Sequence, residues 1–81
     1  MPEYRAEFMV EPFVEGSLGP AVVAAVDAVV ACGFDPNVDA FGTSIEGDSE
    51  RVVTALADML HAAIGAGATR VTVQIECRGE S

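Results

Sequence analysis

The run Phe41-Gly42-Thr43-Ser44-Ile45-Glu46-Gly47-Asp48 holds the residues best placed for chemistry. It reads as a short strand that ends in glycine, with a helix directly after it. Strand alternation puts Thr43 and Ile45 on one face, and Ser44 and Glu46 on the other. A hydroxyl and a carboxylate then stand together on one sheet face, near a helix N-terminus. Such a pair can hydrogen-bond a small polar or cationic molecule.

The elements that must position these groups follow from hydrophobic periodicity. Tyr4–Glu11 alternates as a half-buried strand: Tyr4, Ala6, Phe8 and Val10 point one way, and Arg5, Glu7, Met9 and Glu11 the other. Pro12 and the loop Glu15-Gly16-Ser17 end it. Ser17 is a suitable cap and Pro20 a suitable first-turn residue for a helix running to Cys32. Val22, Val26, Val29 and Val30 form the expected stripe of that helix, and Gly33 closes it. Its outer side collects Ala24, Ala28 and Ala31. Phe34–Ala40 reads as a second strand, which Pro36 confines to a sheet edge. After the strand Phe41–Glu46, Asp48 or Gly47 caps a second helix reaching about Ala66. Its stripe is Val52, Leu56, Met59, Leu60 and Ala63, with Val53 and Ile64 at the margins. Thr69–Cys77 alternates again, with Val71, Val73, Ile75 and Cys77 on the apolar side.

The order β-α-β-β-α-β predicts an α+β fold, a ferredoxin-like two-layer sandwich over one domain, residues 1–81. That fold implies an antiparallel sheet of order 4-1-3-2 with both helices on one face. The opposite face would collect Glu7, Met9, Glu11, Ser44, Glu46, Thr72, Gln74 and Glu76. Central strands would bring Glu7, Glu11 and Glu46 near one another, and grouped carboxylates need solvent, a pairing partner or a cationic ligand. The face therefore has three readings: a solvated surface, an oligomer interface or a ligand site. The last two are compatible, since sites often form where subunits meet.

Composition narrows the function. Thirteen acidic residues face four basic ones, a formal charge of −9 with no Lys/Arg cluster, which argues against nucleic acid. The N-terminus shows no targeting segment, and the longest apolar stretch is too short to span a bilayer, so a soluble cytoplasmic protein is expected. Cys32 and Cys77 have no CxxC partner and predict reduced thiols and no zinc site. His61, the single histidine, falls on the polar side of the second helix. No nucleophile stands in the context of a triad, and the glycines match no phosphate loop. A carboxylate cluster such as Glu7, Glu11 and Glu46 could hold a hard divalent ion, but the DxDxDG type of spacing is absent. These points argue against an enzyme.

Gly42-Thr43-Ser44-Ile45-Glu46-Gly47-Asp48, the strand-ending Pro12 and Gly67-Ala68-Thr69-Arg70-Val71 together resemble the thiamine-binding protein family. That family was long known as a domain of unknown function. It is related to the YkoF-type proteins that bind thiamine or hydroxymethylpyrimidine. The resemblance covers essentially the whole chain. It implies a ferredoxin-like fold, no catalysis and no cofactor, a homodimer or homotetramer, and thiamine or its pyrimidine precursor as ligand. Thr43 and Glu46 are the positions it assigns to the ligand; Ser44, Glu7 and Glu11 are further candidate contacts from their place on the open sheet face. Phe13 or Phe41 would lie against a ring. The alternative is an oligomeric protein-interaction module with no small-molecule ligand.

Overall fold

The computed structural model describes residues 2–12, 19–39 and 42–78. Strand β1 spans Glu3–Glu11, helix α1 Pro20–Ala31, strand β2 Asn37–Asp39 and strand β3 Gly42–Asp48. Helix α2 spans Ser49–Gly65 and strand β4 Arg70–Arg78. The strands form one antiparallel sheet of order β2-β3-β1-β4, the expected 4-1-3-2 order read from the other edge. The α+β class and the β-α-β-β-α-β order are therefore as expected from the sequence.

The core lies between the sheet and the two helices. Ala6, Phe8 and Val10 of β1 and Ile45 of β3 meet Ala25 and Val29 of α1, and Val52, Leu56 and Met59 of α2. Met59, Val29 and Val52 are the largest side chains wholly removed from water. Strand parity works as the alternation predicts: Thr43 and Ile45 are buried, while Glu46 is exposed.

Three expectations need correction. Of the expected second strand Phe34–Ala40, residues Asn37–Asp39 form strand β2, Phe34, Asp35 and Pro36 do not, and Ala40 lies outside the described residues. Pro36 has no N–H for a ladder, and Phe34 leaves the sheet altogether. The Phe34 N–H closes the end of α1 on the Val29 carbonyl at 3.1 Å, and its ring is buried in the core. The buried stripe of α1 is Ala21, Val22, Ala25 and Val29, with Val26 half-buried and Val30 51% exposed. Alanines let α1 approach the core closely, so the helix is rotated from the all-valine stripe. On β4, Val71 and Val73 are half-buried, but Ile75 and Cys77 are exposed. The helices lie over β1 and β3 and leave this end of β4 uncovered. The expected cap Ser17 lies outside the described residues, and α1 begins at Gly19 with Pro20 in its first turn.

Two local devices fix β3. Gly42 has φ +138, and a Cβ there would meet the Phe8 carbonyl oxygen at 2.7 Å, so only glycine fits where β3 enters against β1. At the other end Asp48 is both the last residue of β3 and the cap of α2. Its Oδ2 accepts from the Glu50 N–H at 3.2 Å. No loop separates strand from helix.

Candidate functional site

The sheet face away from the helices is polar, and its residues fall in transverse rows. One row is Ser44, Glu7 and Gln74, and the next is Glu46, Arg5 and Glu76. Arg5 is the hub. Its Nη1 lies 3.4 Å from Glu7 Oε1, its Nη2 donates to Glu7 Oε2 at 3.5 Å, and its Nε lies 4.0 Å from Glu46 Oε2. Two carboxylates thus share one guanidinium. Glu76 stands opposite Arg5 in register and pairs with Arg78 at 3.8 Å. These pairs are open to water, so each contributes well under ~1 kcal/mol to folding. Their value is to hold charge in place on the surface.

Two depressions flank Arg5. The first, of ≈ 300 Å³, is lined by Arg5, Glu7, Gln74, Ile75 and Glu76. The second, of ≈ 420 Å³, opens where β2 stops short of the end of β3. There Arg5, Ser44 and Glu46 meet Phe34, Asn37 and Arg51. This groove turns around the free edge of β3 and reaches the helix side of the sheet. Arg51, in the first turn of α2, forms its far wall. Its guanidinium carbon sits 5.1 Å from the centre of the Phe34 ring, and its Nη2 donates to the Cys32 carbonyl at 3.3 Å. That bond satisfies a carbonyl at the end of α1 with a cation, as the helix dipole favours.

Ser44 and Glu46 therefore stand together in one groove, and Glu7 joins Glu46 through Arg5. Thr43 does not join them: it is 4% exposed and faces the core. Glu11 is also apart. It sits at the opposite end of β1, where its carboxylate lies 3.8 Å from Arg70 Nε. It lies four residue steps along the strand from Glu7, a rise of about 13 Å. The expected grouping of Glu7, Glu11 and Glu46 is corrected to Glu7 and Glu46 around Arg5. Phe13 and Phe41 lie outside the described residues.

Arg5, Phe34, Asn37 and Arg51 were not expected in the groove. Arg5 could have been found, since it shares strand parity with Glu7. The other three arrive from a turn, a short strand and a helix start, which only the tertiary fold brings together. Among the described residues, no three His, Cys, Asp or Glu side chains converge as a metal site. No helix among them is long and apolar enough to cross a membrane. Both cysteines are free thiols, and the Cys32 thiol donates to Asp58 Oδ2 at 3.4 Å. Desolvation, then that bond and the Asp58 charge, push the Cys32 pKa upward, partly offset by Arg51.

Residues 6–79 match the profile of a family described as thiamine-binding protein. No curated protein sequence matches the chain. Solved structures share its fold. One is a domain of unknown function from Bacillus cereus, 23% identical, with a TM-score of 0.71 over 96% of this chain and 76% of that one. A hypothetical protein from Methanocaldococcus jannascii is 18% identical, with a TM-score of 0.72 over 100% of this chain and 84% of that one. A candidate thiamine biosynthesis/salvage protein from Thermotoga maritima is 21% identical, with a TM-score of 0.69 over 98% of this chain and 85% of that one.

Proposed function

The chain belongs to the thiamine-binding protein family, and on that premise we propose that it is a non-catalytic small-molecule binding protein for thiamine or hydroxymethylpyrimidine. The observation that carries the reading is the groove in which Ser44 and Glu46 stand beside Asn37 and Arg5. An aminopyrimidine has an exocyclic amine that donates and ring nitrogens that accept. The Glu46 carboxylate accepts from the amine, while the Ser44 hydroxyl or the Asn37 amide donates to a ring nitrogen. The carboxylates around Arg5 also favour the thiazolium cation of thiamine. The groove's ≈ 420 Å³ falls in the ordinary range for small-ligand sites. No nucleophile or acid–base pair is needed for this role. Thr43, buried on the helix side of the sheet, is left out of the proposed contact set.

Calorimetry with thiamine and with hydroxymethylpyrimidine is the test. Glu46→Gln removes a charge-assisted hydrogen bond of ~1.5–3 kcal/mol, a loss of ~10–100-fold in affinity. Ser44→Ala should cost less, because its bond is between neutral groups. Absence of heat with both ligands at millimolar concentration rejects the proposal, and binding unaffected by Glu46→Gln moves the site elsewhere.

A homodimer or homotetramer is part of the same proposal, supported by family membership and by the small size of the domain. The second reading is an interaction module without a small ligand. It is favoured by Val23 and Val30 on α1 and by Val53 and Ile64 on α2, all exposed. Assembly without any calorimetric response would favour it.

A further inference from the structure

Strand β4 is a nine-residue edge paired along its whole length with β1, from Glu3↔Arg78 to Glu11↔Arg70. Among the described residues nothing pairs with its outer side. It carries no proline and no lysine, and its charges, Arg70, Glu76 and Arg78, are of mixed sign. Its helix-side row, Val71, Val73 and Ile75, is incompletely covered, with Ile75 45% exposed. A bare ladder beside an apolar row is a template for another strand.

We propose that this edge pairs antiparallel with the β4 edge of a second copy, about a twofold axis through Val73, giving one continuous eight-stranded sheet. The sequence of β4 selects that register. An axis between two residues would set polar side chains of one copy against apolar ones of the other. An axis through Gln74 sets Arg70 against the partner's Arg78, a like-charge contact made twice. An axis through Thr72 leaves Arg70 opposite the partner's Gln74, and one through Ile75 leaves Glu76 opposite the partner's Gln74. The axis through Val73 sets Arg70 against the partner's Glu76, and Thr72 against the partner's Gln74. On the other face it sets Val71 against the partner's Ile75, and Val73 against the partner's Val73. Opposite charges, hydrogen-bonding side chains and apolar side chains all meet their own kind of partner. Twofold symmetry makes each contact twice.

The seam runs beside the ≈ 300 Å³ depression, whose outer wall is Gln74, Ile75 and Glu76. Pairing brings the partner's Thr72 and the partner's Arg70 next to that wall, so the second copy completes it. The inference adds a surface and a register to the assembly proposed above and rests on no ligand.

The test is sedimentation velocity over a concentration series on the native chain, on Arg70→Glu, on Glu76→Arg, and on an equimolar mixture of the two variants. Each variant alone places two like-charge contacts at its seam, and its dimer should weaken by ~10-fold or more. The mixture restores opposite charges at both contacts, because each altered residue then meets the other, and dimer should return. A second arm avoids charge. Thr69→Cys, mildly oxidised with glutathione disulfide, should give a covalent dimer joined between position 69 and the partner's Cys77, which this register sets opposite. A strictly monomeric native chain would overturn both the assembly and this surface. A dimer indifferent to both variants, or variants whose mixture fails to recover, would overturn the surface alone. Calorimetry with thiamine reports separately, so the ligand proposal and the pairing can fail independently.

Discussion

The sheet has two edges, and they are built in opposite ways. At one edge β2 contributes three of the described residues, is preceded by Pro36, and pairs with β3 no further than Ser44. That short edge offers little ladder, and the unpaired remainder of β3 becomes one wall of the ≈ 420 Å³ groove. At the other edge β4 contributes nine residues in unbroken register, with complementary charges near its ends. One edge gives up ladder to make a site. The other keeps its ladder available. Under the two proposals above, strand length, more than strand composition, separates the edge assigned to a ligand from the edge assigned to a second copy.

The comparison can be broken most forcefully at the short edge. Gly42→Ala must hold a positive φ and push against the Phe8 carbonyl. A loss of ~3 kcal/mol is expected from strain and overpacking together, read as a fall in the denaturant midpoint. An unchanged midpoint would mean that β3 enters the sheet differently. The long edge is sharpened by proline at neighbouring positions, Val73→Pro and Gln74→Pro. Successive N–H groups of a strand point to opposite sides, so one proline faces β1 and the other faces outward. The inward one should lower the melting temperature by the equivalent of ~1–3 kcal/mol. The outward one should spare the fold more and abolish dimer. Equal melting losses with unchanged assembly would show that the outer ladder is idle.

The smallest effect concerns the thiols. Cys77 lies exposed on β4, whereas Cys32 is half-buried and its pKa is raised by desolvation and by Asp58. Iodoacetamide near neutral pH should modify Cys77 several times faster than Cys32, read by peptide mass spectrometry. Because the folded chain holds the Cys32 proton more tightly than the unfolded chain, stability tied to it is complete below the ordinary thiol range of ~8.5. It is lost as pH rises through the folded value. Cys32→Ser should flatten that alkaline limb.

Much of the fold was legible because its strands alternate and its helices carry stripes. Tyr4–Glu11 and Thr69–Cys77 each show a period of two, and β3 announces itself through Thr43 and Ile45 facing away from Ser44 and Glu46. Phe34 reads as strand because an aromatic residue beside a valine-bearing stretch has strand character, whereas the turn at Gly33 places it in the core. The rotation of α1 was hidden because alanine gives no periodic signal as strong as valine, yet alanine is what close packing selects. At the site, parity placed Ser44, Glu46 and Glu7 correctly on one face. It could not give position along the strand, so Glu11 was drawn into a cluster it never reaches. Arg51 and Asn37 reach the groove from distant sequence, and no local pattern marks them.

Asp48 ends β3 and caps α2 with no residue between them, and the Ser49 N–H is further tied to the Pro2 carbonyl at 3.1 Å. Strand and helix are therefore joined with no hinge residue between them. Glu46 stands on the strand and Arg51 on the helix, and Arg51 also grips the Cys32 carbonyl at the end of α1. The ligand proposed for this groove would therefore meet walls joined by short, hydrogen-bonded connections, where little chain freedom remains to be lost on binding.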